Sequence, residues 1–137
     1  MKTIPDQSSP VISTDVVCPD DTNPMHMLKG GRLLHWMDNT AAVCAQMFAG
    51  RICVTAGIQD VRFLRPAGIG DMLTVRAVVT QVFNTSMSVS VEATALRVGE
   101  KDPRLISTGI FSFVSIGSDG RPLPLAHADP VKEGATA

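Results

Sequence analysis

The spacing of hydrophobic residues along the chain changes once, shortly after residue 50. Between Arg32 and Phe48 there is no proline or glycine, and Gly50 follows at a position where a left-handed residue commonly ends a helix. The pattern therefore predicts one long helix over residues 32–48. At about 100° per residue, its main apolar face is made of Leu34, Met37, Ala41, Cys44, Ala45 and Phe48. Because Trp36 and Val43 also interrupt the opposite, polar side, we expect this helix to be covered nearly all round, which favours a partner subunit.

After Gly50, hydrophobic residues recur at every second position, the period of a half-buried strand. The alternation is clearest over residues 86–95, and further strands are predicted over 52–64, 72–83 and 105–116, with a short one over 12–17. The Asn84–Thr85 junction suits a tight antiparallel hairpin, and Gly99–Pro103 suits a turn. One helix followed by antiparallel strands predicts an α+β fold in which the sheet lies around the helix, and it excludes a doubly wound parallel sheet.

Length and composition limit the chain to one domain and argue against several kinds of partner. A chain of 137 residues can bury one sizeable core but has little room for a second. The aperiodic, proline-containing ends predict a flexible N-terminal arm over residues 1–11, a folded domain over 12–117 and a flexible tail over 118–137. A net charge of −1 argues against nucleic acid, and no segment is apolar enough for a membrane helix. Three cysteines at no metal-ligand spacing, without a signal-peptide pattern, predict a cytoplasmic protein.

Asp38 is the first candidate for chemistry because it lies in the predicted helix among apolar neighbours such as Leu34 and Ala41. An aspartate is rarely buried without a partner, so Asp38 is either solvated or functional. Gly31 and Asp38 are seven positions apart, which places them within about 20° of the same helix face, with a rise of roughly 10 Å between them. The free N–H groups at a helix start can polarise a carbonyl oxygen and stabilise an oxyanion. A base and an oxyanion donor on one face predict acyl transfer to water.

The same residues also have purely structural explanations. Asp38 can form a solvated or internally hydrogen-bonded patch with His35 and Asn39, and a glycine pair before a helix is often only a turn device. His26 and His35 have no third ligand at zinc spacing, so no metal site is predicted. Cys44, on the apolar face, is expected to be a core residue rather than a nucleophile.

Three stretches of the chain resemble the single-domain acyl-coenzyme A thioesterases of the hotdog fold: PDDTNPMHMLKGGRLLHWMDN, VTAGIQDVRFLRPAGIGD and NTSMSVSVEA. The family pattern of Pro-x-x-Thr-Asn, Gly-Gly, Met-Asp, Val-Thr, Phe-x-x-Pro, Gly-Asp and Thr-Ser-Met matches in order between Pro19 and Ala93. The resemblance implies a long central helix wrapped by an antiparallel β-sheet. It also implies protomers that pair edge to edge, often as a trimer of dimers. Acyl-CoA is the implied substrate, and neither a metal nor an organic cofactor is expected.

The resemblance also implies roles for individual residues. Asp38 is expected to act as the general base on water, or as a nucleophile through an anhydride, and Asn23 of the facing protomer to position the water or the thioester. Backbone N–H groups at Gly30 and Gly31 are expected to contact the thioester oxygen. Thr55 matches a threonine that the family places near the catalytic carboxylate.

Further positions are expected to bind substrate. The resemblance places Thr85 and Ser86 near the coenzyme A arm and makes Arg62 and Arg65 candidate phosphate contacts. The chain departs from the family in the loop before the helix, because the family usually has glycine where this chain has His26 and Phe or His where it has Lys29. His26 can narrow the acyl channel, hydrogen-bond Asp38 across the interface or only fill space, and Lys29 can meet a phosphate or an acidic acyl group. These two departures leave the choice of substrate open.

Two rival functions use the same fold. One is a non-catalytic acyl-CoA-binding or regulatory module, since a fold alone does not confer activity. The other is an enzyme that adds or removes water across an acyl double bond, which would need a catalytic histidine beside its acid. His26 and His35 leave that second possibility open but do not match the motif of its class.

Overall fold

A computed structural model describes residues 2–3 and 9–125 of the chain. Within these residues, six strands and one α-helix follow one another in the order β1 (Lys2–Thr3), β2 (Val11–Val16), α1 (Gly30–Ala49), β3 (Cys53–Phe63), β4 (Met72–Val82), β5 (Ser86–Leu96) and β6 (Arg104–Ser115). A short 3-10 turn over Pro19–Asp21 lies between β2 and α1. All strand pairs are antiparallel, so the predicted α+β arrangement of a long helix wrapped by an antiparallel sheet, as in the hotdog fold, is confirmed.

The end of α1 was predicted correctly, while its start lies two residues earlier than predicted. Gly50 adopts a left-handed conformation with φ of 71°, and its N–H donates to the carbonyl of Gln46 at 2.8 Å. The helix begins at Gly30, because both glycines of the pair are helical. Glycine disfavours helix interiors, which is why the sequence pattern placed the start after them.

The buried face of α1 is rotated relative to the predicted one. Its buried residues are Leu33, Trp36, Met37, Thr40, Ala41, Cys44 and Ala45. Trp36 was assigned to the polar side but lies in the core, whereas Leu34 and Phe48 are only partly buried. Burial of Trp36, the largest side chain on the helix, removes a large apolar area from water and so stabilises this orientation of the helix.

The sheet has the strand order β1-β4-β5-β6-β3, and β2 also pairs with β4. The predicted alternation in β5 is confirmed, since Met87, Val89, Val91, Ala93 and Ala95 are fully buried. The predicted hairpin at Asn84–Thr85 is also confirmed, because the Phe83 N–H donates to the carbonyl of Ser86 at 2.7 Å. Strand β4 is joined to β5 at this hairpin, which lies at the end of the sheet where α1 ends.

Strand β3 forms one edge of the sheet and pairs only with β6 within the described residues. Its register shifts between Thr55 and Gly57 and again between Gln59 and Arg62, and Asp60 has a positive φ of 54°. Residues 54–60 are all exposed. Native proteins seldom leave a long apolar strand edge uncovered, so this edge is suited to pairing with another chain.

The packed body extends beyond the predicted boundary at residue 117. Ile116 forms a bridge with Pro122, the Arg51 guanidinium donates to the carbonyl of Pro124 at 2.9 Å, and Leu125 is buried. At the other end, Val11 is already part of β2, where it pairs with Ala77. Residues 4–8 and 126–137, which hold most of the predicted flexible arm and tail, lie outside the described residues, so their flexibility stays a prediction. Over the described part of the chain, no helix has both the length and the hydropathy needed to cross a membrane.

Candidate active site

The start of α1 presents backbone N–H groups that have no partner within the helix. The first intrahelical bond at this end runs from the Leu33 N–H to the carbonyl of Lys29, at 3.0 Å. Lys29 occupies the N-cap position without a capping side chain, and the first turn contains no acidic residue. A Cβ placed on Gly31 would meet nothing within 4 Å. The N–H groups of the glycine pair are therefore open to a ligand oxygen, and the helix dipole favours partial negative charge there.

Asp38 is joined to Thr55, as the resemblance implied. The Thr55 hydroxyl donates to Asp38 Oδ1 at 2.8 Å, across the contact between α1 and β3. Thr55 lies where the register of β3 shifts, and such a bulge changes the direction in which a side chain points. His35 and Asn39 form a separate hydrogen bond of 3.3 Å with each other. Asp38 is half-buried in the single chain and bonds to the strand rather than to this helical pair.

Asn23 shapes the loop that leads into α1. Its Oδ1 accepts from the N–H of Met25 at 2.9 Å and of Met27 at 3.2 Å, while its carbonyl accepts from His26 at 2.9 Å. His26 has a positive φ of 62°, a conformation that glycine adopts without strain, which agrees with the glycine usual at this position in the resembling family. Within residues 9–125, Asn23 makes no hydrogen bond to Asp38. One chain therefore does not bring these two predicted residues together.

Thr85 and Ser86 lie far from the glycine pair within one chain. Both belong to the β4–β5 hairpin and are half-buried, and Ser86 pairs with Val114 near the end of α1. The opposite end of the sheet holds the start of α1, and the helix of 20 residues spans about 30 Å between them. These two groups can serve one ligand only if different chains contribute them.

Arg62 and Arg65, by contrast, lie at the same end of the sheet as the start of α1. Both are exposed, and Arg65 Nη1 donates to the carbonyl of Leu105 at 2.9 Å. Lys29, immediately before the helix, is exposed as well. Together with the positive end of the helix dipole, these three cations favour an anionic ligand group at this end.

Sequence reasoning missed the role of Asp71, which was noted only as part of a Gly-Asp motif. Its buried carboxylate accepts from the Gly68 N–H at 2.9 Å, Arg97 Nε at 3.2 Å and Arg104 Nη2 at 3.0 Å. Burial by itself raises the pKa of Asp71. The hydrogen bonds from Gly68 and Arg97, together with the charges of Arg97 and Arg104, outweigh burial, so the pKa lies below its usual value. No local pattern signals this site, because the arginines lie 26 and 33 residues further along the chain.

The loop that Asp71 holds is in turn attached to the start of the candidate site. Gly68 forms a bridge with Met27, and the Leu28 N–H donates to the carbonyl of Ala67 at 2.8 Å. These bonds fix the segment between Asn23 and the glycine pair. Asp71 therefore stabilises the start of α1 without being part of the candidate site.

Asp21 provides a second support that was not predicted. It is buried, accepts from the Cys18 N–H at 2.9 Å and forms an ion pair with Arg32 Nε at 3.0 Å. The Arg32 guanidinium lies 4.8 Å from the centre of the Trp36 ring. Arg32 is one of two basic residues near Asp38 in the sequence, but it pairs with Asp21 rather than with Asp38.

Cysteine and metal chemistry find little support in the described residues. Burial raises the pKa of the Cys44 and Cys53 thiols, which fits the predicted core role of Cys44. Between residues 9 and 125, no group of three or more histidine, cysteine, aspartate or glutamate side chains is placed to hold a metal ion.

Comparison with known proteins assigns a family to this arrangement. Residues 25–100 match the family described as the thioesterase superfamily. The chain is 35% identical over 129 residues to YkhA of Bacillus subtilis (strain 168), named an acyl-CoA thioester hydrolase; the match covers 93% of this chain and 74% of YkhA. An acyl-CoA hydrolase from Staphylococcus aureus, solved with butyryl coenzyme A, coenzyme A and coenzyme A disulfide, has a TM-score of 0.81 and 32% identity, over 85% of this chain and 71% of that one. A hexameric acyl-CoA thioesterase of known structure has a TM-score of 0.84 and 31% identity, and the match covers 91% of this chain and 80% of that one.

Proposed function

Because the chain belongs to the thioesterase superfamily and is a thioester hydrolase, we propose that it hydrolyses acyl-CoA to a free carboxylic acid and coenzyme A, with Asp38 as the general base. The name of the Bacillus subtilis relative and the ligands of the Staphylococcus aureus structure support this substrate class. The observation that carries the assignment of Asp38 is its hydrogen bond to Thr55. Asp38 also lies on the helix whose first N–H groups are open.

The spacing of three residues supports the same assignment. The Staphylococcus aureus enzyme has been solved as separate variants in which an asparagine, an aspartate or a threonine is replaced by alanine. In that enzyme the three residues are separated by 15 and 17 positions. Asn23, Asp38 and Thr55 are separated by the same intervals.

The proposed reaction proceeds by attack of water on the thioester carbon. Thr55 holds Asp38 Oδ1, so Oδ2 accepts a proton from the water as its oxygen bonds to the carbon. The carbonyl oxygen becomes an oxyanion and accepts from the N–H groups at Gly30 and Gly31. When the C–S bond breaks, the thiolate of coenzyme A takes the proton from Asp38. These steps use no metal and no organic cofactor.

We propose that the complete site lies between two protomers paired through their β3 edges. Asn23 of one protomer then faces Asp38 of the other and positions the water or the thioester. Thr85 and Ser86 contact the coenzyme A arm from a different chain than the glycine pair, since the two groups lie at opposite ends of one sheet. The exposed β3 edge and the hexameric relative support a homodimer assembled further as a trimer of dimers.

The remaining predicted positions have binding roles in this proposal. Arg62 meets phosphate groups at the end of the sheet where α1 starts. Arg65 lies closer to the glycine pair, where it donates to the carbonyl of Leu105. His26, held in a left-handed conformation in the loop of Asn23, lines the approach to the site.

The activity is tested by release of free thiol from acyl-CoAs of two to sixteen carbons. The wild type is compared with Asp38→Asn and with Asp102→Asn, an exposed turn residue that serves as the matched control. We expect Asp38→Asn to lose at least about 100-fold in kcat while Asp102→Asn keeps wild-type activity. If the folded wild type binds acyl-CoA and leaves it intact, the chain is the binding module instead.

The shared site is tested by mixing two inactive variants. Asp38→Asn and Asn23→Ala are unfolded together and refolded at equal concentration, so that half of the dimers contain one chain of each kind. Each mixed dimer holds one site with both residues intact, and the mixture is therefore expected to regain roughly a quarter of wild-type activity. Recovery of no activity, with mixed dimers verified by mass, would show that both residues act from one chain.

A further inference from the structure

A cleft of about 360 Å³ opens beside the first residues of α1. Its floor is formed by Leu33, Ala67 and Ile106, which are all buried, and Phe63 forms one wall. Among the residues that the structure describes, Arg65 is the one charged residue in its lining. The cleft is thus an apolar depression next to the N–H groups that the proposed function assigns to the thioester oxygen.

Phe63 and Gly30 both line the cleft and lie side by side. A Cβ placed on Gly30 would lie 3.5 Å from the Phe63 ring, so the ring lies directly against the first residue of the helix. The backbone around Phe63 is fixed, because Phe63 pairs with Ser107 and the Leu64 N–H donates to the carbonyl of Ile106 at 2.8 Å. Its side chain remains 56% exposed and can be changed in size without opening the core.

We infer that this cleft holds the acyl group of the substrate and that Phe63 sets the acyl chain length. The inference rests on the proposed function, since it takes the thioester oxygen to lie at Gly30 and Gly31. From that position the two groups attached to the carbonyl carbon point in different directions, and only one can enter the cleft. The pantetheine arm carries two amides and a hydroxyl, which would lose their hydrogen bonds to water against these apolar walls. An alkyl chain has no such penalty and gains from leaving water.

The size of the cleft limits the acyl chain to short and medium lengths. If each carbon needs about the 30 Å³ that a molecule of liquid water occupies, the cleft has room for roughly a dozen carbons at most. Each methylene buried there is worth a factor of about four in kcat/KM, from ~0.8 kcal/mol per group. We therefore expect kcat/KM to rise by about fourfold per methylene and then to level off once the cleft is full.

The test compares kcat/KM for acyl-CoAs of two to sixteen carbons among Phe63→Ala, Phe63→Trp and the wild type. Phe63→Ala widens the cleft and is expected to move the plateau to longer chains, whereas Phe63→Trp narrows it and is expected to move the plateau to shorter ones. Val98→Ala, an exposed apolar residue in the β5–β6 turn that does not line the cleft, is the matched control and should keep the wild-type profile. The oligomeric state of each variant is measured, and Ile106→Val, which enlarges the floor by one methylene, supplies the same readout if a Phe63 variant dissociates.

Inhibition by free coenzyme A distinguishes the two ends of the substrate. The inference predicts that Phe63→Ala and Phe63→Trp leave this inhibition within about twofold of the wild type. If inhibition weakens and all chain lengths lose activity in parallel, the cleft binds the pantetheine arm and the inference is wrong. Unchanged chain-length profiles in both variants would also overturn it while leaving the proposed function intact, whereas a wild type that cleaves no acyl-CoA overturns the proposed function itself.

Discussion

Replacement of Asp71 by asparagine tests the main ionic contact that supports the site. The Asp71 side chain is 1% exposed, and the substitution leaves Arg97 and Arg104 facing a neutral group. Breaking a buried ion pair by changing one partner costs about 3–5 kcal/mol. Arg97 is 62% exposed, so water partly compensates it, and Arg104, 27% exposed, keeps its ion pair with Glu100. We therefore expect a loss near the lower end, about 3 kcal/mol. For a chain of this length, that loss lowers Tm by about 10 °C.

The assay is urea unfolding at one fixed protein concentration, because association with a second chain adds to apparent stability. Asp102→Asn is the control for loss of one exposed carboxylate. A double-mutant cycle with Arg104→Gln should give a larger coupling energy to Asp71 than a cycle with Arg97→Gln, since Arg104 is less exposed. A change below ~0.5 kcal/mol for Asp71→Asn, or equal coupling in the two cycles, would refute this account of the cluster.

The pH dependence of stability follows from the lowered pKa of Asp71. A carboxylate whose folded-state pKa is depressed contributes stability that is fully present above its unfolded value, near 3.8, and is lost as pH falls through the lower folded value. The unfolding free energies of the wild type and of Asp71→Asn should therefore differ most near neutral pH and converge in strong acid. A constant difference down to about pH 2 would show that the charge of Asp71 is not the stabilising feature.

Three further substitutions test other parts of the structure. Thr55→Val removes the hydroxyl that donates to Asp38 but keeps the shape of the side chain. Because a hydrogen bond to a charged group is worth about 1.5–3 kcal/mol, we expect kcat to fall by roughly 10-fold or more with little change in KM. Thr55→Ser keeps a hydroxyl and should therefore retain most of the activity. Ser115→Ala removes a buried hydroxyl that has no hydrogen-bond partner among the described residues, and its free energy of unfolding should stay the same or rise by up to about 1 kcal/mol; a clear loss would reveal a partner. Ile58→Lys places a charge on the exposed β3 edge and should give monomers with little activity, as measured by sedimentation and thiol release; a fully active monomer would contradict the shared site.

The local sequence was sufficient to predict the secondary structure and the main candidate for chemistry. The strands follow from alternation between neighbouring residues, and the end of α1 follows from Gly50, which needs no distant partner for its left-handed conformation. The hairpin at Asn84–Thr85 also depends only on residues that are adjacent in the sequence. Asp38 was singled out because its immediate neighbours are apolar, and its pairing with Thr55 was implied only through the resemblance to a family.

The tertiary structure alone decided which distant residues meet. The buried face of α1 turns toward Trp36 because the whole sheet, not the helix by itself, determines where a large ring can pack. Asp71 meets Arg97 and Arg104 only because the registers of β4, β5 and β6 bring the ends of these strands together. The same registers place Thr85 and Ser86 at one end of the sheet and the glycine pair at the other. Periodicity arises from neighbours along the chain, whereas these contacts depend on strand register and chain association, which no short stretch of sequence contains.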